Sequence, residues 1–98
     1  MLLIRKVAGT SMLPVLQPDR LVIAAPRRRI RSGDIVVIAH DGLEKVKRVA
    51  DMRGSGARRE IYLLGDNPPD STDGRHFGWL PMTLVKGKVV WPLTTFQK

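Results

Sequence analysis

Short apolar runs separated by turn-forming residues dominate this chain of 98 residues. The runs are rich in Val and Ile, and seven Pro and nine Gly punctuate the sequence. Such a pattern is typical of β-strands joined by turns. We therefore predict six strands, which cover Leu2–Ala8, Arg20–Ala25, Asp34–His40, Glu44–Ala50, Ile61–Leu64 and Val85–Val90.

The segments between the predicted strands favour loops over helices. The one helix-like stretch is a turn at Ser11–Leu16, in which Pro14 falls early enough to be tolerated in a first turn. The predicted loops are Gln17–Asp19, Pro26–Gly33, Asp41–Gly42, Asp51–Arg59 and Gly65–Pro81. The last loop is long for so small a domain, which indicates a functional loop or one held by internal polar contacts. We expect one small, mostly β domain over residues 1–98, with no internal boundary.

The composition narrows the classes of protein that fit. Apolar residues make up 43% and charged residues 27%, which excludes disorder as a description of the whole chain. A net charge of +8 favours an acidic partner such as nucleic acid, anionic lipid or acidic peptide. The absence of Cys excludes a disulfide framework, a thiol nucleophile and thiolate metal sites, and no metal or other cofactor is expected. The apolar opening stops at Arg5, too early for a spanning helix or a signal-peptide core.

The two histidines are weak candidates for catalysis. His40 ends an apolar run beside Asp41-Gly42, which is typical of a hairpin turn, and His76 lies in the long polar loop. Both fit ordinary turn or surface residues, so a Ser-His-Asp triad is not expected.

A serine and a lysine form a more specific pair. A serine hydroxyl is a weak nucleophile until a base removes its proton, and a lysine acts as that base only when its amine is neutral, which burial favours. In the predicted strand Lys47 faces the same side as Val49, and Met12, next to Ser11, is flexible enough to pack over an amine. Each half alone also fits a capped turn or a solvated strand face.

Several segments, taken in chain order, resemble one known family. Ser11-Met12-Leu13-Pro14-Val15-Leu16 resembles the Ser-Met-x-Pro-Thr-Leu signature of type I signal peptidases and related serine/lysine endopeptidases. The other matching segments are Ser32-Gly33-Asp34-Ile35-Val36-Val37, which resembles Arg-Gly-Asp-Ile-Val-Val, the lysine segment Lys47-Arg48-Val49, and Gly78-Trp79-Leu80-Pro81, which resembles Gly-x-Val-Pro. The run from Gly65 to Arg75 matches Gly-Asp-Asn-x-x-x-Ser-x-Asp-Ser-Arg at every fixed position except Gly74.

The resemblance implies a role for each matched polar residue. Ser11 would be the nucleophile, and Lys47 the general base that deprotonates first Ser11 and then the hydrolytic water. Ser71 would hydrogen-bond the lysine amine, while Asp73 and Arg75 would form an ion pair that pins the loop.

The resemblance also implies an oxyanion site beside the nucleophile. Many family members place a side-chain hydroxyl two positions before the serine, but Gly9 has none. The Ser11 backbone N–H and Thr10 would then have to serve, with Met12 beside them in the substrate site.

Two departures from the family pattern bear on fold and location. Only 15 residues, Ala50 to Leu64, separate Val49 from Gly65, which implies a signal-peptidase-like β fold without the large insert domain of many bacterial members. No membrane anchor precedes Ser11 in this sequence. We expect a cytoplasmic protein. If an anchor has been removed, we expect a membrane-associated or extracytoplasmic protein that contacts the membrane surface.

The implied function is removal of a signal sequence or propeptide from a precursor protein, and the run Leu64–Pro68 looks most like the proteases that mature nickel-type superoxide dismutase. One alternative is a self-cleaving repressor-like peptidase, which shares the dyad but needs a cleavage segment before the serine, where only ten residues stand. The other is a basic nucleic-acid-binding β module that uses Arg27-Arg28-Arg29-Ile30-Arg31. Aromatic residues, at 5%, are scarce for base stacking, so no nucleic-acid partner is expected.

Overall fold

The structure, a computed structural model, describes residues 1–92 without the side chain of Asp70, so residues 93–98 of the predicted domain lie outside the described residues. Its strands form one antiparallel sheet in the order β1-β2-β7-β3-β4-β5-β6. The strands are β1 (Leu3–Lys6), β2 (Leu21–Ala25), β3 (Ile35–His40), β4 (Leu43–Arg53), β5 (Glu60–Leu64), β6 (Leu80–Pro81) and β7 (Val85–Trp91). The predicted mostly β fold is confirmed.

The six predicted strands are all present, but β4 is longer than predicted and β6 was missed. Residues 51–53, assigned to a loop from the sequence, pair with residues 60–62 of β5. The polar sequence of this stretch does not indicate a strand. The strand forms because β5 supplies partners for its backbone hydrogen bonds, and local propensity does not report such partners. β6 is only two residues long and pairs with Glu60 and Ile61.

The long loop and the Ser11 turn also differ from the prediction. The segment from Gly65 to Pro81 contains a 3-10 turn at Pro68–Asp70 and a short helix, α1 (Gly74–Phe77). Ser11–Leu16 forms successive turns rather than a helix, with one helix-like bond from the Leu16 N–H to the Met12 carbonyl at 2.9 Å. A helix would need the Ser11 carbonyl to accept from the residue four positions later, but Asn67 donates to it instead.

β3 is buried on both of its faces. Ile35 and Val37 pack into one apolar cluster with Met12 from the Ser11 turn, whereas Val36 and Ile38 pack into a second cluster with Leu63 of β5. Side chains alternate across a strand, so these two sets face opposite sides of the sheet. The first cluster therefore supports the Ser11 turn, and the second supports the strand that leads into the loop after Leu64.

The first strand of the sheet lies close to β4, which is not its neighbour in the order of pairing. β1 is an edge strand in the order of pairing, yet its Arg5 donates to Glu44 at the start of β4, with Nη2 and Oε2 at 3.2 Å. The sheet is thus curled so that β1 faces the first half of β4. Within residues 1–92, no helix has the length and apolar character to cross a bilayer.

Candidate active site

Ser11 and Lys47 line the same cavity. It has a volume of about 150 Å³, and its walls come from residues 5–8 at the end of β1 and residues 44–47 of β4, with Val37 and Ser11. The curled sheet brings these two segments together although they are far apart in the chain. Ser11 is half-buried there, in the turn that follows β1.

Lys47 is a buried lysine in the middle of β4. It is only 5% exposed, and its Cα lies opposite Val36 of β3. Burial lowers the pKa of Lys47, the Asp73 carboxylate opposes this shift, and the charges of Lys45 and Arg75 add to it. The balance favours the neutral amine more than in a solvated lysine, and the neutral amine is the form that can accept a proton.

A chain of hydrogen bonds runs from Lys47 into the segment at residues 65–75, named here the Asp73 loop. The Lys47 Nζ donates to the Ser71 Oγ at 3.1 Å, and the Ser71 Oγ donates to the Asp73 Oδ2 at 2.7 Å. Because the serine gives its only proton to the carboxylate, its oxygen must accept from the amine. A neutral amine that donates one N–H in this way keeps its lone pair for another proton.

Asp73 is fully buried and collects donors from three residues. Its carboxylate accepts from the Gly65 N–H at 2.7 Å, from Ser71, and from Arg75 through the backbone N–H at 3.1 Å and the Nε at 3.0 Å. Burial alone would raise the pKa of Asp73, but the hydrogen bonds from Arg75, Gly65 and Ser71 outweigh it and hold the pKa well below the usual range. Asp73 is therefore an ionised anchor for the loop.

Asp73 also begins α1. It is the N-cap residue, and its own backbone N–H donates to the His76 Nδ1 at 3.3 Å, which completes a capping box. His76 therefore has a structural role in the Asp73 loop. Among the described residues, His40 forms no hydrogen bond with Ser11 or Lys47; its Nδ1 lies 3.2 Å from the Lys45 Nζ. At Gly74, where the family pattern has a serine, a Cβ would lie 2.7 Å from the Leu63 carbonyl oxygen, so the backbone here leaves no room for a side chain.

Gly65 allows the Asp73 loop to approach the Ser11 turn. A Cβ on Gly65 would lie 2.6 Å from the Ser71 Cβ and 2.7 Å from the Ser11 carbonyl oxygen, and both distances are shorter than real contacts. Because Gly65 has no side chain, Ser71 and the Ser11 carbonyl can both lie against its Cα.

Asn67 joins the same loop to the backbone of the Ser11 turn. Its N–H donates to the Ser11 carbonyl at 2.7 Å, and its side-chain Nδ2 donates to the Thr10 carbonyl at 2.9 Å. Two consecutive carbonyl groups are therefore fixed by one residue, which orients the peptide that carries the Ser11 N–H. Sequence reasoning placed Asn67 in a matching segment but gave it no role.

Arg48 and Asp66 were missed as a pair in the same way. The Arg48 Nε and Nη2 donate to the two carboxylate oxygens of Asp66, each at 2.8 Å, and the Nη1 donates to the Gly33 carbonyl at 2.6 Å. This bidentate pair links the strand residue after Lys47 to the loop residue before Asn67. Its only sequence signal was that both residues fall inside segments that match the family.

The remaining predicted site residues occupy different surroundings. Gly9 is exposed with a φ of +75°, a conformation that favours glycine, and Thr10 is half-buried. Met12 is fully buried in the core with Val7 and Leu16, so its side chain supports the turn and does not line the cavity. In the part of the chain that the structure describes, no group of three or more His, Cys, Asp or Glu side chains is placed to hold a metal ion.

Comparison with known proteins points to a peptidase. The model of the Peptidase S24-like family matches residues 2–76. The mitochondrial ATP-independent inner membrane protease subunits 1b and 1a of Arabidopsis thaliana are 28% and 30% identical to this chain over 115 residues, which covers 91% and 88% of this chain and 68% of each relative. The mitochondrial inner membrane protease subunit 1 of Xenopus tropicalis is 44% identical over 39 residues, or 37% of this chain and 23% of that protein.

Proposed function

This chain belongs to the Peptidase S24-like family, and from that membership we propose that it is a serine endopeptidase with Ser11 as nucleophile and Lys47 as general base. The observation that carries the proposal is the buried Lys47 amine, held by Ser71 at the wall of a cavity that Ser11 shares. Burial and the positive neighbours favour its neutral form, and the Ser71 contact directs it without using its lone pair.

The first chemical step is acylation. The Ser11 Oγ attacks the scissile carbonyl carbon while the Lys47 amine takes the hydroxyl proton, and the developing oxyanion is met by the Ser11 backbone N–H. Collapse of the tetrahedral intermediate breaks the C–N bond, and the Lys47 ammonium returns its proton to the leaving amine. The carbonyl contacts of Asn67 hold the Ser11 peptide in one orientation during this step.

Deacylation uses the same base. Lys47, neutral again, removes a proton from water as the water oxygen attacks the ester carbon. The second tetrahedral intermediate then collapses, the ester C–O bond to Ser11 breaks, and the Lys47 ammonium returns the proton to the Ser11 oxygen as the carboxyl product leaves. Asp73 and Arg75 take no part in bond making. They hold Ser71, which in turn positions the amine for both steps.

Two strand edges next to the cavity suit an extended peptide. Within the described residues 1–92, β1 pairs only with β2, and β5 pairs with β4 only from Arg48 onward. Residues 43–47 of β4 therefore have a described strand partner on one side only. A substrate strand between β1 and this part of β4 would add backbone hydrogen bonds and place its scissile bond near Ser11. The small cavity beside Ser11 suits small side chains next to the cut.

The proposed substrate is a precursor protein that loses an amino-terminal signal or propeptide. The relatives named as inner membrane protease subunits support a proteolytic role, and the resemblance of the matched segments to type I signal peptidases supports a precursor as the substrate. The segment Leu64–Pro68 makes the precursor of a nickel-type superoxide dismutase the first substrate to test.

Substitution of the two proposed catalytic residues tests the proposal. Wild type, Ser11→Ala and Lys47→Met are incubated with the dismutase precursor and with a peptide library, and cleavage is followed by mass spectrometry. Both variants should lose cleavage by at least 1000-fold, on the order expected when a nucleophile or its base is removed. The matched controls are Ser55→Ala, an exposed serine, and Lys88→Met, a lysine of β7 that does not line the cavity, and both should cleave like wild type. Cleavage by either Ser11→Ala or Lys47→Met at the wild-type rate would refute the assignment.

A further inference from the structure

Lys45 is a second lysine at the wall of the cavity, and two residues from other elements contact its amine. The Lys45 Nζ donates to the Nδ1 of His40, at the end of β3, at 3.2 Å. It also lies over the Phe77 ring of α1, 5.1 Å from the ring centroid. The rings of His40 and Phe77 pack on each other with their centroids 4.8 Å apart. These three residues, from β3, β4 and α1, are named here the Lys45 cluster.

The contacts of the Lys45 cluster suit a cation. An ammonium has donors only, so the His40 Nδ1 must accept, and the ring proton belongs on Nε2. That nitrogen lies 3.8 Å from a carboxylate oxygen of Asp41, which attracts the N–H dipole. The ammonium also meets the face of the Phe77 ring, which attracts positive charge. The Lys45 amine therefore has two partners that hold it at the cavity wall.

Lys45 and Lys47 lie on the same face of β4. They are alternate residues of one strand, and alternate side chains are about 7 Å apart. Their Cα partners on β3, Ile38 and Val36, point to the same side and are fully buried in the second apolar cluster. Water is scarce above such a surface, so it screens little of the repulsion between two ammonium groups. The positive charge of Lys45 accordingly lowers the pKa of Lys47.

Other charged or titratable groups surround the cavity and contribute in different ways. They are Asp73 and Arg75 of the Asp73 loop, Arg5 and Lys6 of β1, Glu44 of β4, Lys86 of β7, and His40 and Asp41 where β3 ends. Asp73 raises the pKa of Lys47, whereas Arg75 lowers it from an exposed position. Among the side chains that the structure describes, Lys45 has no acidic partner in an ion pair, so its charge acts on Lys47 without being offset.

We propose that Lys45 is a positioning residue for the reaction, a fixed cation that keeps the neighbouring Lys47 amine free of a proton. His40 and Phe77 hold Lys45 where it acts, and Lys45 itself exchanges no proton with the substrate. A proton on Lys47 would place a second positive charge beside one that cannot swing away, which costs free energy. This role deepens the proposed function and rests on it, because a neutral Lys47 matters to cleavage only if Lys47 is the base.

α1 connects this cation to the loop that directs the base. Asp73 caps the start of α1, and Phe77 is its last residue. The same short helix therefore supports the Ser71–Lys47 hydrogen bond through one end and the Lys45 amine through the other. Because both amines depend on one element, that element sets their relative placement.

The pH dependence of cleavage tests the proposal. The value of kcat/KM is measured from pH 6 to pH 10 for wild type, Lys45→Met and Lys45→Arg, on a peptide that wild type cleaves. Loss of a unit charge about 7 Å away should raise the midpoint of the Lys45→Met profile by about one unit. Lys45→Met should then cleave about tenfold more slowly on the acid side of the profile and as fast as wild type on the alkaline plateau. Lys45→Arg, which keeps the charge, should keep the midpoint within about 0.3 unit.

Two further variants separate the Lys45 cluster from the charge of the cavity in general. Lys6→Met removes an exposed lysine of the same cavity, and water screens that charge, so the midpoint should move by less than about 0.3 unit. His40→Phe keeps the aromatic contact with Phe77 but removes the acceptor nitrogen. The released Lys45 amine should then raise the midpoint by about half a unit.

Nuclear magnetic resonance follows the same charge without cleavage. In a Ser11→Ala background with ¹³C-labelled lysine, the Lys47 signal is the one that Ser11→Ala/Lys47→Met lacks. Its chemical shift is followed from pH 6 to pH 11 with and without Lys45→Met. The added substitution should raise the titration midpoint of Lys47 by about one unit, as in the kinetics.

Four results would overturn the proposal. They are an unchanged Lys47 midpoint in Ser11→Ala/Lys45→Met, an equal shift for Lys6→Met, a wild-type midpoint for His40→Phe, and slower cleavage by Lys45→Met at every pH with the wild-type midpoint. The last result would mean that Lys45 only supports the structure. Failure of the proposed function is a different outcome, because Ser11→Ala would then cleave, whereas the Lys47 titration would still report the effect of Lys45.

Discussion

Replacement of Asp73 by Asn tests whether one buried carboxylate holds the site together. The change keeps the size of the side chain but removes its charge and one acceptor oxygen. The Asp73 Oδ2 accepts from the Gly65 N–H and the Ser71 hydroxyl, both buried, and an amide nitrogen there would oppose donor with donor. Hydrogen bonds to a charged group contribute about 1.5–3 kcal/mol each, so the loss of two amounts to about 3–6 kcal/mol. Arg75 adds little, because its side chain is 39% exposed and screened by water.

The measurement is urea unfolding of wild type, Asp73→Asn and Ser71→Ala. The loss for Asp73→Asn should appear directly in the free energy of unfolding, and a loss of about 3 kcal/mol corresponds to a melting temperature roughly 12–24 °C lower. Ser71→Ala removes one of the two donors and should cost about 1.5–3 kcal/mol. Because the pKa of Asp73 is lower in the folded than in the unfolded state, its contribution is complete above the unfolded value of about 3.9 and is lost as the pH falls toward the folded one. The advantage of wild type over Asp73→Asn should be constant from pH 7 to pH 5 and shrink below pH 4. Equal stability of the two variants at pH 7, or an advantage that persists at low pH, would refute the reasoning.

Four other outcomes follow from the same contacts. Lys47→Met should raise the melting temperature near pH 7, because it removes a buried amine whose pKa is lowered by folding. The gain should vanish as the pH approaches the unfolded lysine pKa of about 10.4. Scanning calorimetry measures this, and a lower melting temperature at all pH values would contradict it. Cleavage by wild type should rise from pH 6 to pH 9 as the Lys47 amine becomes neutral, and a flat profile would speak against lysine as the base. Asn67→Ala removes the hydrogen bond to the Thr10 carbonyl and should lower kcat by about tenfold with little change in KM. The free energy of unfolding, measured in urea, should fall by about 1 kcal/mol. A change confined to KM would argue against a positioning role. Gly65→Ala should abolish cleavage and shift the melting temperature down, because its Cβ would displace Ser71, and full activity would show that the loop can move away at no cost.

The fold class and the candidate residues were accessible from local sequence for different reasons. Short apolar runs rich in Val and Ile, bounded by turn-forming residues, located β2, β3 and the core of β4 to within a few residues. Ser11 and Lys47 were accessible because their neighbours in the chain form recognisable segments. By contrast, residues 51–53 carry no apolar alternation, and their strand exists because β5 offers backbone partners.

The contacts around the site depended on pairing between distant segments. The Arg48–Asp66 ion pair, the Asn67 bonds to the Ser11 turn and the Gly65 approach to Ser71 all join residues that local pattern treats separately. Met12 is a further example. The sequence placed it beside the substrate, but in the structure side chains of β3 and β7 enclose it in the core.

By itself, the sequence determined a small β-rich chain, an excess of positive charge and an ordered set of polar residues suited to serine chemistry. Only the tertiary structure decided that Lys47 is buried, that Ser71 and Asp73 direct its amine, and that the half-buried Ile23 lies between the exposed Ile4 and Trp91. The physical reason is that burial, pKa and surface continuity depend on strand register and on the curl of the sheet, which arise from pairing across the whole chain and leave no trace in any short segment.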